Sequence, residues 1–127
     1  MNMSDDNGTR EQLMRNCQSV AETVERLTDG WRYCNVCGEY VKDDEHCDEE
    51  TIDIYDYIAD NLGIKLTTDL DGCLYGAVIT VAWGGPNIYI DTNTKFVEGY
   101  WGLDSYRVML SDRAIEVIDD QIEQMRY

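Results

Sequence analysis

Between Leu13 and Leu27 the apolar positions Leu13, Cys17, Val20, Val24 and Leu27 recur at steps of four, three, four and three residues, with Glu11, Arg15, Glu22, Glu25 and Arg26 mostly off the stripe. That period predicts a helix with one narrow buried face. Thr9-Arg10-Glu11-Gln12 has the form of a capping box, so the helix is expected to open at Thr9, after a flexible arm of residues 1–8. Thr28-Asp29-Gly30 closes it, Gly30 supplying the stop. A second helical period runs from Thr51 to Leu62, with Ile52, Tyr55, Ile58, Ala59 and Leu62 expected inward. Asp48-Glu49-Glu50 precede it, acids suited to the positive end of a helix.

From Ile64 the period shortens to two. Ile64, Leu66 and Thr68 alternate with Lys65 and Thr67, which reads as a strand. Residues 73–83 form a longer one with Gly76 as a bulge candidate, and Asn87–Asp91, Lys95–Trp101 and Ser105–Leu110 follow between short polar turns. Ser111 then caps a last helix that turns Ala114, Ile115, Ile118, Ile122 and Met125 inward. The expected fold is α+β: an antiparallel meander of about five strands, three helices on one face, and a small hairpin at Trp31–Val41. Residues 9–127 form a single domain, with a Cys-rich knuckle at 31–47.

Composition agrees with a folded domain and then complicates it. Hydrophobic residues make up 43% of the 127 residues, and nine tyrosines, three tryptophans and one phenylalanine are too many aromatics for a disordered acidic tail. No apolar run approaches the roughly 20 residues a membrane helix needs, and the polar start lacks the apolar core of a secretion signal. A cytoplasmic protein is the expectation. The charge is the outlier: 26 acidic against ten basic residues, a formal −16. Such a field repels nucleic acid and anionic membranes and draws in basic surfaces. Aspartate outnumbers glutamate 16 to 10 with three lysines, a balance that adaptation to high salt also produces. The five cysteines and the methionines speak against that origin.

Chemistry concentrates in Tyr33–Cys47, which holds three of the five cysteines and His46, the single histidine. Cys34-x-x-Cys37-Gly38 is the spacing in which two thiolates grip one ion while turn amides face the sulfurs. His46 and Cys47 complete a candidate structural zinc site, with Cys17 or Cys73 as a replacement ligand. Free thiols or a redox CxxC are the alternatives. Four protein ligands would close the site and brace the fold without doing chemistry.

Directly downstream the chain turns acidic: nine carboxylates and no lysine or arginine lie between Asp43 and Asp60. Asp53, Asp56 and Asp60 follow at i, i+3 and i+7, so on a helix from Thr51 they would share an exposed face, with Glu49 and Glu50 just before it. A solvated face is the plain reading. The sharper one is imitation of the phosphate charge of a nucleic acid. The last helix, with five acids, would extend that surface. Asp91, Glu98 and Asp104 read as turn and edge residues. Tyr89, Tyr100, Trp101 and Tyr106 suggest either core packing or a partner-facing aromatic patch.

No serine-hydrolase, zinc-protease, kinase or phosphate-loop motif occurs, and the expectation is a non-enzymatic protein. In its CNVCGEYV knuckle, the acidic segment after it and the GGPNIYIDT…VEGYWG strands, the chain resembles small acidic proteins encoded by bacteriophages and mobile elements. That group includes anti-restriction and anti-CRISPR inhibitors. The resemblance implies an anti-defence inhibitor and assigns no residue a role. With the acidic segment it leads to the expectation of a protein that binds the basic channel of a host nuclease, with Glu49, Glu50, Asp53, Asp56 and Asp60 as the contacts. A zinc-stabilised adaptor that binds protein through the aromatic sheet face is the alternative.

Overall fold

The computed structural model describes residues 3–42 and 51–126, with side chains from Thr9 onward. Helix α1 (Met3–Thr28) buries Leu13, Cys17, Val24 and Leu27 of the predicted stripe together with Ala21, and Val20 is half-buried at its side. Its backbone is helical from Met3, so Thr9 lies inside the helix and the Thr9–Gln12 pattern does not mark its start.

Strands β1 (Arg32–Cys34) and β2 (Glu39–Val41) form the expected hairpin, with Tyr33 opposite Tyr40 and Cys34 opposite Glu39. A two-residue strand, β3 (Thr51–Ile52), pairs along the other side of β1 and makes a three-stranded sheet ordered β2-β1-β3. The sequence reading had placed these residues in a helix. Thr and Ile are β-branched and suit a ladder better than a helical first turn.

Helix α2 therefore starts late and is short, Ile54–Ala59. Its buried face is Ile54 and Ile58, the second as expected, while Tyr55, Ala59 and Leu62, also expected inside, are exposed.

The large sheet follows the meander closely. Strands β4 (Gly63–Thr68), β5 (Leu74–Ala82), β6 (Asn87–Asp91), β7 (Phe96–Trp101) and β8 (Asp104–Met109) pair antiparallel in chain order. The slip expected near Gly76 falls at Tyr75, because Thr67 pairs with Gly76 and Thr68 with Leu74. Helix α3 (Asp112–Met125) is capped as predicted, the Ser111 side chain accepting from the Ala114 amide.

The core lies between one face of the large sheet and the helices. Ala77, Ile79, Ile88, Ile90 and Val97 meet Leu13, Cys17 and Val24 of α1 and Ala114, Ile115, Ile118 and Ile122 of α3. Helix α1 lies over β7 and β8. It sits so close that a methyl group on Gly99 would overlap Cys17 Sγ and Leu13 Cδ1. Glycine at that position lets the helix seat on the sheet. Cys17 is thus a small core residue, and burial pushes its thiol pKa up.

A polar clamp ties α1 to α3. The Glu25 carboxylate accepts from the Ser111 amide (2.7 Å) and hydroxyl (2.8 Å) and from Arg113 (3.0 Å), which also reaches Asp29. Among the described residues, no helix is long and apolar enough to cross a membrane.

Candidate functional site

The Cys34–Cys37 turn is built by its hairpin. Gly38 adopts φ +72°, a conformation most side chains resist, and its amide bonds to the Cys34 carbonyl at 2.8 Å. Cys34 is fully buried and Cys37 exposed. Their sulfurs stand 3.6 Å apart, and the Cys37 amide donates to Cys34 Sγ at 3.4 Å. A disulfide needs ~2.05 Å, so no bond joins the two sulfurs in this structure. Two sulfurs each ~2.3 Å from a tetrahedral zinc would stand ~3.8 Å apart, close to what this turn holds. The pair therefore fits half of a zinc site. His46 and Cys47, the other expected ligands, lie outside the described residues. Among the described residues no three or more Cys, His, Asp or Glu group in a metal-holding arrangement; Cys17 is buried in the core and Cys73 is exposed.

Behind the hairpin, Ser19, Thr23, Tyr33, Tyr40, Ile52 and Tyr57 line a cavity of about 340 Å³. Thr23 and Tyr40 share a hydrogen bond of 2.8 Å, and the Tyr33 and Tyr40 rings meet edge to face at 5.3 Å. Burial, with a smaller contribution from Tyr40, pushes the Tyr57 pKa up to about 12, so its hydroxyl stays protonated.

On α2 the expected acids stand at the helix ends and engage its backbone. Asp53 is the N-cap: its side chain accepts from the Asp56 amide at 3.0 Å, and the Asp56 side chain accepts from the Asp53 amide at 3.2 Å. Arg32 stands 3.8 Å from Asp53, a cation that sequence distance had hidden. Asp60 is exposed at the other end, as the C-cap. The reason is local. The first amides of a helix lack intrahelical acceptors, and an aspartate at that point satisfies them. Glu49 and Glu50 lie outside the described residues.

On α3 the acids behave differently. Asp112, Glu116 and Asp120 are exposed at i, i+4 and i+8, one line along the helix with ~6 Å between steps. Asp112 is bonded to Lys95 at 2.9 Å, and that lysine holds its pKa below the ordinary carboxylate value. Among the described residues no cation or hydrogen-bond donor engages Glu116 or Asp120. Asp119, beside them, turns partly inward. Its Oδ1 is buried without a hydrogen-bond partner among the described residues, and burial raises its pKa against the opposing bond from Thr92, with the charge of Asp120 adding to the rise.

The sheet face away from the helices separates the four suggested aromatics. Tyr89 and Tyr100 face outward with ring centroids 6.3 Å apart, and Phe96 on the same face carries Arg107 over its ring at 4.5 Å. Trp101 and Tyr106 pack against the core instead, the Tyr106 hydroxyl accepting from Gln18. Asp91 caps the amides of Asn93 and Thr94, and Glu98 accepts from Thr94 and Tyr100. Both carboxylates do turn and strand work.

No protein-family model, curated protein or solved structure matches the chain.

Proposed function

We propose that this protein is an inhibitor of the phage anti-defence kind, which occupies the basic nucleic-acid channel of a bacterial nuclease by presenting carboxylates in place of phosphates. The line Asp112, Glu116 and Asp120 carries the reading: exposed acids at regular spacing, on a helix held to α1 by the Glu25–Arg113 clamp. A preorganised row of charge costs less to bind than a flexible acidic tail. The formal −16 supplies long-range attraction to a cationic cleft and repels competing nucleic acid. The contact surface is centred on α3 and extends to Asp60, with Asp53 and Asp56 retained as structural residues. A zinc ion held by Cys34 and Cys37, with His46 and Cys47, would brace the hairpin against which β3 and α2 are built.

The test is inhibition of duplex cleavage by restriction and guide-RNA-dependent nucleases. Inhibition should weaken steeply as salt rises from ~0.1 to ~1 M, because exposed charge contacts are screened. Inhibition that survives high salt, or its absence across such nucleases, contradicts the reading.

The outward pair Tyr89 and Tyr100 favours a second reading, an adaptor that binds protein through the uncovered sheet face. It predicts salt-insensitive binding that Tyr100→Ala abolishes.

A further inference from the structure

Strand β4 is where the fold stops covering its own apolar residues. Leu66 and Ile64 pair with Ala77 and Ile79 of β5 and share their face of the sheet. Ala77 and Ile79 are fully buried, yet Ile64 and Leu66 remain 37% and 40% exposed. With Ile122 and Met125 of α3 and Arg126 at its C-cap they line an open groove of about 190 Å³. All six residues of β4 are exposed, and among the described residues its one neighbour in the sheet is β5. Its free edge therefore offers backbone amides and carbonyls to another strand.

Charge indicates which strand. Residues 61–68, NLGIKLTT, contain no acid and one lysine in a chain that has 26 acids. A basic partner drawn by the overall field gains nothing from this stretch. For a second copy carrying the same −16 it is a place of low repulsion. We propose that β4 pairs antiparallel with β4 of a second copy, joining two five-stranded sheets into one of ten strands about a two-fold axis.

The register follows from parity. Directly opposite residues of an antiparallel pair point to the same face, so the axis must pass through a residue position. Centring on Lys65 would set two ammonium groups opposite each other, which is destabilising. Centring on Ile64 would draw Leu62 and Asp60, both outside the strand, into the ladder. Centring on Leu66 sets Leu66 against Leu66, Ile64 against Thr68, and each lysine against Thr67. Leu66 of each copy then lies beside the groove of the other. So short a ladder belongs to the small, weak class of interface.

Sedimentation equilibrium of the full chain tests this over ~5–500 µM, the range suited to a weak interface. The wild-type chain should dimerise, and more tightly at ~0.5 M than at ~0.05 M salt, because screening removes the repulsion between copies. That salt dependence is opposite in sign to the one predicted for a basic target, so the two readings stand or fall separately. Leu66→Glu should be monomeric throughout while still unfolding in one cooperative urea transition, and Leu103→Glu, at an exposed site outside β4, should dimerise like the wild type. A wild-type monomer at the highest concentration and salt overturns the proposal and leaves the strip to a strand from another protein. A dimer that persists in folded Leu66→Glu overturns it as well.

Discussion

Asp53 and Asp56 at the start of α2, and Glu116 and Asp120 on α3, are acids at helical spacing with opposite fates. The first pair is absorbed by a capping box and by Arg32; the second stands exposed and unpaired among the described residues. The helices themselves explain the difference. Helix α2 has six residues, too few to sustain itself, and depends on its ends. Helix α3 has 14, buries Ala114, Ile115, Ile118 and Ile122, and takes its cap from Ser111. It is held by its core face and by the Glu25–Arg113 clamp, and neither draws on Glu116 or Asp120. A carboxylate that caps the open amides of a helix end is less available to a partner.

That contrast can be broken by substitution, beginning where the effect should be largest. Glu25→Ala removes the acceptor shared by Ser111 and Arg113 and should cost about 1–2 kcal/mol in urea denaturation, the partly exposed setting having lowered the figure for charged hydrogen bonds. If the cost is negligible, α3 is not held by the clamp. Asp53→Ala should cost about 1 kcal/mol through loss of the cap, with loss of helical signal confined to α2. A value near zero would return Asp53 to the exposed, functional class.

Asp119→Asn should act in the other direction. Its raised pKa means that the folded state binds more protons than the unfolded state just above the ordinary value of 3.8. Stability should therefore fall as pH rises through that window, and the asparagine variant should lack the fall and be more stable at neutral pH. Urea midpoints at several pH values between 4 and 7 decide it; a wild-type profile that rises with pH there contradicts the assignment. Smallest of all, Glu116→Lys with Asp120→Lys should move stability by no more than about 0.5 kcal/mol, since both sites are exposed and without partners.

Much of the fold was legible in the sequence. The five strands of the large sheet were marked by a period of two and by polar turns, and α3 by Ser111 and the spacing of Ala114, Ile115, Ile118 and Ile122. The α1 stripe was equally clear, although its start was not: Thr9–Gln12 is a local pattern, and a helix runs through such a pattern when the residues upstream also take helical backbone. Two features depended on distant partners and left no local trace. Thr51 and Ile52 become a strand because β1 lies beside them, and Asp53 meets Arg32 across 21 positions. Moving the helix start from Thr51 to Ile54 brought Ile54 into the core beside Ile58 and set Asp53 at the N-cap, where the helix amides engage it. The Cys34–Cys37 turn was legible because Cys-x-x-Cys-Gly specifies its own local geometry.

The most direct test compares two double variants in one nuclease-inhibition titration, with a urea midpoint for each. Glu116→Lys with Asp120→Lys should abolish inhibition at an unchanged midpoint. Asp53→Ala with Asp56→Ala should lower the midpoint and, at a temperature where the variant remains folded, leave inhibition intact. Should the α2 variant lose inhibition while the α3 variant keeps it, the contact surface lies at α2 and the account is wrong.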